Sequence, residues 1–412
     1  MKNIRLEYNL IKIIYYKLRM KSNFKISILI VLTGFFHINK SFCQLKTGAD
    51  QMIQYLHYLQ NKKVALVVNQ TSNIGNVHLL DTLLKLKVKV KTVFAPEHGF
   101  RGNHSAGEKV ASTIDKKTGI PIVSLYGKNK KPFASQLKNI DLLIFDIQDV
   151  GARFYTYIST LHYVMEACAE NNKTLLILDR PNPNGFYVDG PILDTAFRSF
   201  VGMHPIPIVH GMTIAEYAQM INGEAWLANG IQCKLIVIKN YFYSHETKYT
   251  PPVFPSPNLK TIEAIYLYPS LCFFEGTSIS LGRGTEKPFE CIGKPNSTIG
   301  DYKFTPKKIL GVAENPPWKD QICNGFSLTN YGKNFASQIP TINLFWLIEF
   351  YKNDQEKTKF FNSFFDKLAG GDKLRKQIEQ GMNEDEIKKS WESDLLAFKQ
   401  IRKKYLLYSD YR

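Results

Sequence analysis

Val64-Ala65-Leu66-Val67-Val68 is an unbroken apolar run, and no other stretch narrows the possible folds of this chain so much. A half-exposed strand alternates apolar with polar residues. An all-apolar run instead asks for burial on both faces, the condition of a strand inside a parallel sheet covered by helices. The cadence recurs. Val88 to Phe94, Pro121 to Ser124, Leu142 to Phe145, Leu175 to Leu178, Ile206 to Val209 and Leu235 to Ile238 read as further strands. Between them, His78 to Leu86, Ser159 to Glu170 and Thr213 to Leu227 read as helices. This alternation predicts an α/β fold with a mostly parallel sheet and helices on both faces.

The pattern breaks near Tyr249. Pro251-Pro252-Val253-Phe254-Pro255-Ser256-Pro257 can be neither helix interior nor central strand. Gly and aromatic residues crowd Tyr268 to Gly293. Helical periodicity returns from Leu344, with Phe360, Phe361, Phe364, Phe365 and Leu368 on one face. The expected organisation is an α/β domain over 44–249 and a smaller α+β domain over 250–412.

Residues 1–43 read as an export segment. Lys21 and Lys25 precede the apolar core Ile26 to Phe36, and Ser41-Phe42-Cys43 stands before Gln44. The core is short for a bilayer span. An uncleaved anchor and a lipid-modified Cys43 are the rival readings, and Met1 and Met20 are both candidate starts. The expected location is the periplasm or another exported envelope compartment. Later in the chain, Leu344 to Phe350 is short and carries Glu349, so no transmembrane span is expected after the export segment.

Without residues 1–43 the chain carries 45 basic and 35 acidic residues, a net charge of +10. The lysines are scattered, with no basic stripe bearing interleaved aromatics, so a nucleic-acid partner is not expected. The charge favours a polyanionic partner or substrate without naming one, and a solvated basic surface is the competing reading. Cys168, Cys233, Cys272, Cys291 and Cys323 form no CxxC or Cys/His cluster, which argues against a zinc site. Cys168 reads as a core thiol, and Cys272 with Cys291 as a conceivable disulfide. No cofactor is expected: neither GxGxxG after the first strand nor GxxxxGK[ST] occurs.

Chemistry-bearing residues gather where the strands end. Pro96-Glu97-His98-Gly99-Phe100-Arg101-Gly102 follows the second strand, and core packing has no use for that mixture. Open α/β sheets bind ligands at the C-terminal ends of their strands. Asn69 to Ser72 follows the first strand. Asp146-Ile147-Gln148-Asp149-Val150-Gly151-Ala152-Arg153-Phe154-Tyr155 follows the fourth. There Asp149 and Arg153 read either as a structural ion pair or as a clamp for a substrate carboxylate, with Tyr155 and Tyr157 lining a cleft. Asp179-Arg180-Pro181-Asn182-Pro183 and His210-Gly211-Met212-Thr213 end later strands. Thr213 and Glu216 have capping-box spacing, and His210 reads equally as a packing residue or a catalyst. In the second half, Phe274-Glu275-Gly276-Thr277 and Gly282-Arg283-Gly284-Thr285-Glu286 set charge among glycines.

These motifs, taken with Val67-Val68-Asn69-Gln70-Thr71, resemble those of the exo-β-N-acetylmuramidases of peptidoglycan recycling over about residues 50 to 410. The resemblance implies a Rossmann-like domain with a smaller second domain and a site in the cleft between them. It also implies release of N-acetylmuramic acid from the non-reducing ends of peptidoglycan fragments, and it makes Glu97 the first catalytic candidate.

Glycoside cleavage needs a proton on the leaving oxygen and negative charge opposite C1. Glu97 is the expected acid, with His98 orienting it, and Glu275 or Asp149 the second carboxylate. A substrate acetamido group oriented by Asp149 or Asp179 is the alternative. Arg101, Arg153 or Arg283 would read the lactyl carboxylate of muramic acid, with Arg153 preferred. Asn69, Tyr155, Asp179, Arg180, His210 and Glu286 complete the expected binding set. The competing functions are a wall amidase or esterase, which lacks a GxSxG motif here, and a non-catalytic peptidoglycan- or solute-binding protein.

Overall fold

The computed structural model describes residues 44–97, 99–100 and 113–411. Along the first half the strands are β1 (Lys63–Val68), the hairpin β2 (Asn73–Ile74) and β3 (Val77–His78), β4 (Lys89–Ala95), β5 (Thr113–Ile114), β6 (Pro121–Ser124), β7 (Leu142–Asp146), β8 (Thr174–Leu178) and β9 (Lys234–Ile238). Seven of them form one sheet in the order β5-β6-β4-β1-β7-β8-β9. Every neighbouring pair is parallel except β5 with β6 at the edge. Numbered among themselves, the parallel strands run 3-2-1-4-5-6, the doubly wound Rossmann order.

The apolar run in β1 does what its composition asks. Ala65 and Val67 enter the core on one face of the sheet, and Val64, Leu66 and Val68 the core on the other, all fully buried. Helix Tyr157–Glu170 lies against β8 and packs on helix Ile214–Gly223. The latter begins with the capping box of Thr213 and Glu216.

The second half carries a small antiparallel sheet, β10 (Cys291–Lys294), β11 (Tyr302–Phe304) and β12 (Cys323–Ser327), in the order β10-β12-β11. Its helices include Ile262–Leu271, Phe345–Lys352 and Glu392–Lys403. Phe273, Phe289, Ile292 and Phe365 share one core with Val150 and Phe154 of the first half. The described chain from Lys46 onward is accordingly one compact unit. Among the described residues, no helix is long and apolar enough to cross a membrane.

Three expectations are corrected. Ile206 to Val209 is not a strand: Val209 makes only isolated bridges to Ala152 and Asp189. The Ile206 and Ile208 carbonyls instead accept from Leu193 N and the Arg153 guanidinium, and from Arg153 N. The Phe-rich stretch is not one helix. Helix Lys357–Phe360 stops, Phe361 is extended and bridges to Thr277, and Phe365–Ala369 starts afresh after Asn362 accepts from Phe364 N. Cys272 and Cys291 are both buried free thiols.

Candidate active site

In doubly wound sheets a ligand crevice opens where the strand order reverses, here between β1 and β7. This chain fills that crevice with its own polar groups. The Thr71 hydroxyl accepts from Gln148 N at 3.0 Å, and the Ser72 hydroxyl donates to the Asp146 carbonyl. The Asn69 amide donates to the Tyr157 hydroxyl at 2.9 Å, which in turn donates to the Pro255 carbonyl at 2.9 Å. Open space lies further out, in a cleft of about 830 Å³. On one side it is lined by residues beyond the ends of β4, β6 and β7: Glu97, Tyr126, Lys130, Tyr155 and Thr156. Glu275, Arg283, Phe289 and the 312–317 loop line the other.

Among the described residues, Glu97 is held from the start of helix Tyr157–Glu170. The Thr156 hydroxyl, at the start of helix Tyr157–Glu170, donates to Glu97 Oε2 at 2.7 Å. Tyr126, just past β6, lines the cleft with Glu97, close enough for the Glu97 charge to act on its phenol. Burial, reinforced by the Glu97 charge, raises the Tyr126 pKa well above the ordinary phenol value, so Tyr126 keeps its proton as a donor.

Glu275 faces the same cleft from the short 3-10 helix Cys272–Gly276. The next residue has to be glycine, because a Cβ on Gly276 would lie 2.4 Å from Phe365 Cα. The restarted Phe segment thus packs directly against the turn that presents Glu275. Arg283 donates to Glu275 Oε1 and lies 4.9 Å above the Phe289 ring. Burial opposes the Arg283 charge, but the Glu275 carboxylate more than offsets this and raises its pKa. Gly282 and Gly284, with φ of 70° and 81°, supply the left-handed backbone that turns Arg283 toward its partner.

Several candidates from the sequence lie elsewhere. Arg153 is fully buried and spends its guanidinium on backbone carbonyls: Pro191 at 2.7 Å, Ile206 at 2.8 Å, Leu368 at 3.0 Å and Ala369 at 2.7 Å. It makes no pair with Asp149 and does not line the cleft, so the expected clamp is not formed. Burial lowers its pKa to about 9. Asp149 is also outside the cleft lining. Its Oδ2 accepts from Gly151 N at 2.6 Å, its Oδ1 is buried without a hydrogen bond, and burial raises its pKa to about 7.

Asn69 positions Tyr157 and does not reach the open space. Asp179 accepts from Ala215 N, Asn240 and Tyr408, and burial raises its pKa to about 7. Arg180 is locked bidentate on Asp146. His210 is buried, accepts from Met212 N, and has its pKa lowered to about 3 by burial. Glu286 is exposed and outside the lining. Of the expected set, the cleft therefore gathers Glu97, Glu275, Arg283 and Tyr155. His98 and Arg101 lie outside the described residues.

The Exo-beta-N-acetylmuramidase NamZ N-terminal model matches residues 64–263, and the C-terminal model of the same name matches residues 266–408. This chain belongs to the NamZ family. The chain is 39% identical over 385 residues to the peptidoglycan beta-N-acetylmuramidase NamZ of Bacillus subtilis (strain 168), covering 89% of this chain and 92% of the relative. Two crystal structures of DUF1343 family proteins from Bacteroides fragilis share its fold. One is 49% identical with a TM-score of 0.82, the other 28% identical with a TM-score of 0.74. Each covers 89% of this chain and 100% of its own.

In this NamZ-family chain, sequence reasoning gave no role to Tyr126, Thr156 or Lys130. Thr156 lies between Tyr155 and Tyr157, the two residues expected to line the cleft. Tyr126 follows a strand of only four residues, and nothing local marks it as a partner of Glu97. Position after a parallel strand was the one available signal for all three.

Proposed function

We propose that this protein hydrolyses the β-glycosidic bond of a terminal N-acetylmuramic acid in peptidoglycan fragments, with Glu97 protonating the leaving oxygen and Glu275 supplying the opposing carboxylate. The observation that carries the reading is the placement of these two carboxylates in one cleft, each held by its own partners, in a chain of the NamZ family. A pair of carboxyl groups flanking the bond is the usual arrangement in glycoside hydrolysis.

The parts divide the work. A hydroxyl both donates and accepts, so Thr156 holds Glu97 in place with or without its proton. Tyr126 keeps its phenol proton in the same cleft. Arg283 orients Glu275 and, paired with it, does not place a bare cation beside the positive charge that develops at C1. Tyr155 lines the cleft as aromatic surface for a sugar ring, and Phe289 backs Arg283 from below. Asp149 stays outside the cleft, which favours Glu275 as the second carboxylate.

The test is incubation of the protein with a muramyl-glucosamine disaccharide and a longer glycan strand. Stepwise appearance of free N-acetylmuramic acid by mass spectrometry supports exo cleavage. Internal fragments, or no product, count against it. We also propose an exported protein, on the strength of the apolar core Ile26 to Phe36. Recovery of the native protein from the cytoplasm with that segment intact would count against export.

A further inference from the structure

We propose that Lys130, together with Phe200 and Val201, forms the corner of the cleft that reads the 3-O-lactyl group of muramic acid. The inference rests on the muramidase reading above and names the residues that would give it its substrate preference. A lactyl group is a carboxylate beside a methyl group, and N-acetylglucosamine has neither. A site that selects it needs a cation next to apolar surface, close to the catalytic acid.

Two cations line the cleft among the described residues, Lys130 and Arg283. Arg283 is committed to Glu275. Arg153 is buried against carbonyls and absent from the lining. Lys130 has no carboxylate partner among the described residues, and its ammonium lies 4.6 Å from the centroid of the Phe200 ring. An ammonium over an aromatic face is held in place yet keeps its donors for a ligand.

The apolar half of the corner is built as deliberately. Ser199 and Gly202 exchange backbone hydrogen bonds at 2.8 and 3.0 Å, which leaves Phe200 and Val201 at the tip of a tight turn. Both line the cleft and neither is fully buried. Val201 packs on the edge of the main core, and both side chains keep part of their apolar surface open, so a ligand methyl is a fitting neighbour. Phe200 also connects the corner to the chemistry. Its ring lies 6.1 Å from that of Tyr126, which lines the cleft beside Glu97. It also stacks with Tyr163 at 6.3 Å.

The test compares wild type, Lys130→Met and Lys130→Arg on four chromogenic aryl glycosides: the N-acetylmuramide, its lactyl methylamide, the muramyl-L-alanine and the N-acetylglucosaminide. Met keeps the aliphatic stem and removes the charge. A charge-assisted hydrogen bond at a partly exposed site sets an expected fall of about tenfold in kcat/KM on the muramide, carried mostly by KM. The ratio of muramide to glucosaminide turnover should fall with it. Lys130→Arg should restore most of the loss, and the methylamide should barely distinguish Met from wild type.

A uniform loss on all four substrates would overturn the assignment, since Lys130 would then support the cleft as a whole. So would an unchanged muramide-to-glucosaminide ratio. A larger effect on muramyl-L-alanine than on the muramide would mean that Lys130 reads a peptide carboxylate and not the lactyl group. These outcomes differ from failure of the muramidase reading, in which wild type would turn over none of the muramides.

Discussion

The Thr156 hydroxyl donates to Glu97 Oε2 at 2.7 Å, joining the first turn after β7 to the loop after β4. The bond ties a catalytic candidate to the N-terminus of helix Tyr157–Glu170, one of the most deeply buried helices in the protein. Thr156→Val removes the hydroxyl and keeps the shape. Glu97 would then sample orientations away from the leaving oxygen. The expected outcome is roughly a tenfold fall in kcat with KM nearly unchanged, because orientation of a general acid is expressed in the transition state. Circular dichroism should show an unchanged fold. A fall confined to KM would show that Thr156 binds substrate directly.

Glu275 is predicted to be as sensitive as Glu97 but with a different signature. Glu275→Gln removes the charge that faces C1, so its effect should not depend on the leaving group. A loss of about 10²-fold or more on both activated and natural glycosides is expected, in line with the size of carboxylate contributions to acid–base steps. Arg283→Met should lose less, since it orients Glu275 and does not replace it. Full activity of Glu275→Gln would remove it from the mechanism.

Arg153 was the sequence's preferred reader of the lactyl group, and its contacts assign it another task. Its guanidinium ties Pro191 and Ile206 to Leu368 and Ala369, next to the wall of the cleft formed by Phe364 and Leu368. Arg153→Met would leave buried carbonyls unpaired, with an expected loss of about 3 kcal/mol or more in stability. Thermal denaturation should show a clear drop. In whatever fraction remains folded, the muramide-to-glucosaminide ratio should match wild type. A changed ratio at unchanged stability would contradict this role.

The pH dependence of stability carries a sign that can be worked out for Asp149. Burial raises its pKa from 3.8 to about 7, opposed by backbone hydrogen bonds from Gly151 and Val150. Between those values the folded state binds a proton that the unfolded state has lost. The contribution of Asp149 is therefore fully present below pH 3.8 and is lost as pH rises through about 7. Asp149→Asn does not titrate, so its stability relative to wild type should improve as pH rises over that window. Asp179, raised to about 7, acts in the same direction. His210, lowered from 6.5 to about 3, acts in the opposite one. Chemical denaturation of wild type and Asp149→Asn at several pH values checks the difference. A gap that moves the other way would contradict it.

The sheet was legible because burial on two faces leaves a plain mark. The run Val64 to Val68 has no polar residue, and its side chains divide between the two cores as that composition requires. Ile206 to Val209 bears a similar mark and is no strand, because its carbonyls accept from Leu193 and Arg153. Apolar composition reports burial, whereas strand pairing depends on partners that the local sequence does not name. The same limit governs the site. Glu97, Glu275 and Arg283 stood out because charge among glycines is costly without a use. The Asp149 and Arg153 spacing suggested a pair that exists only if the intervening residues are helical, and here they form a loop. Tyr126 comes beside Glu97 only after the parallel order brings β6 beside β4, and Lys130 reaches Phe200 only across the long connection that follows β8.

The most direct test of the central claim is the leaving-group dependence of Glu97→Gln. Glutamine keeps the size of the side chain and cannot donate a proton to the glycosidic oxygen. On a natural muramyl-glucosamine bond the variant should lose about 10²-fold or more in kcat/KM. On an activated aryl muramide, whose leaving group departs without protonation, it should lose much less. Equal losses on the two substrates, with the fold intact, would contradict the role of Glu97 as the acid.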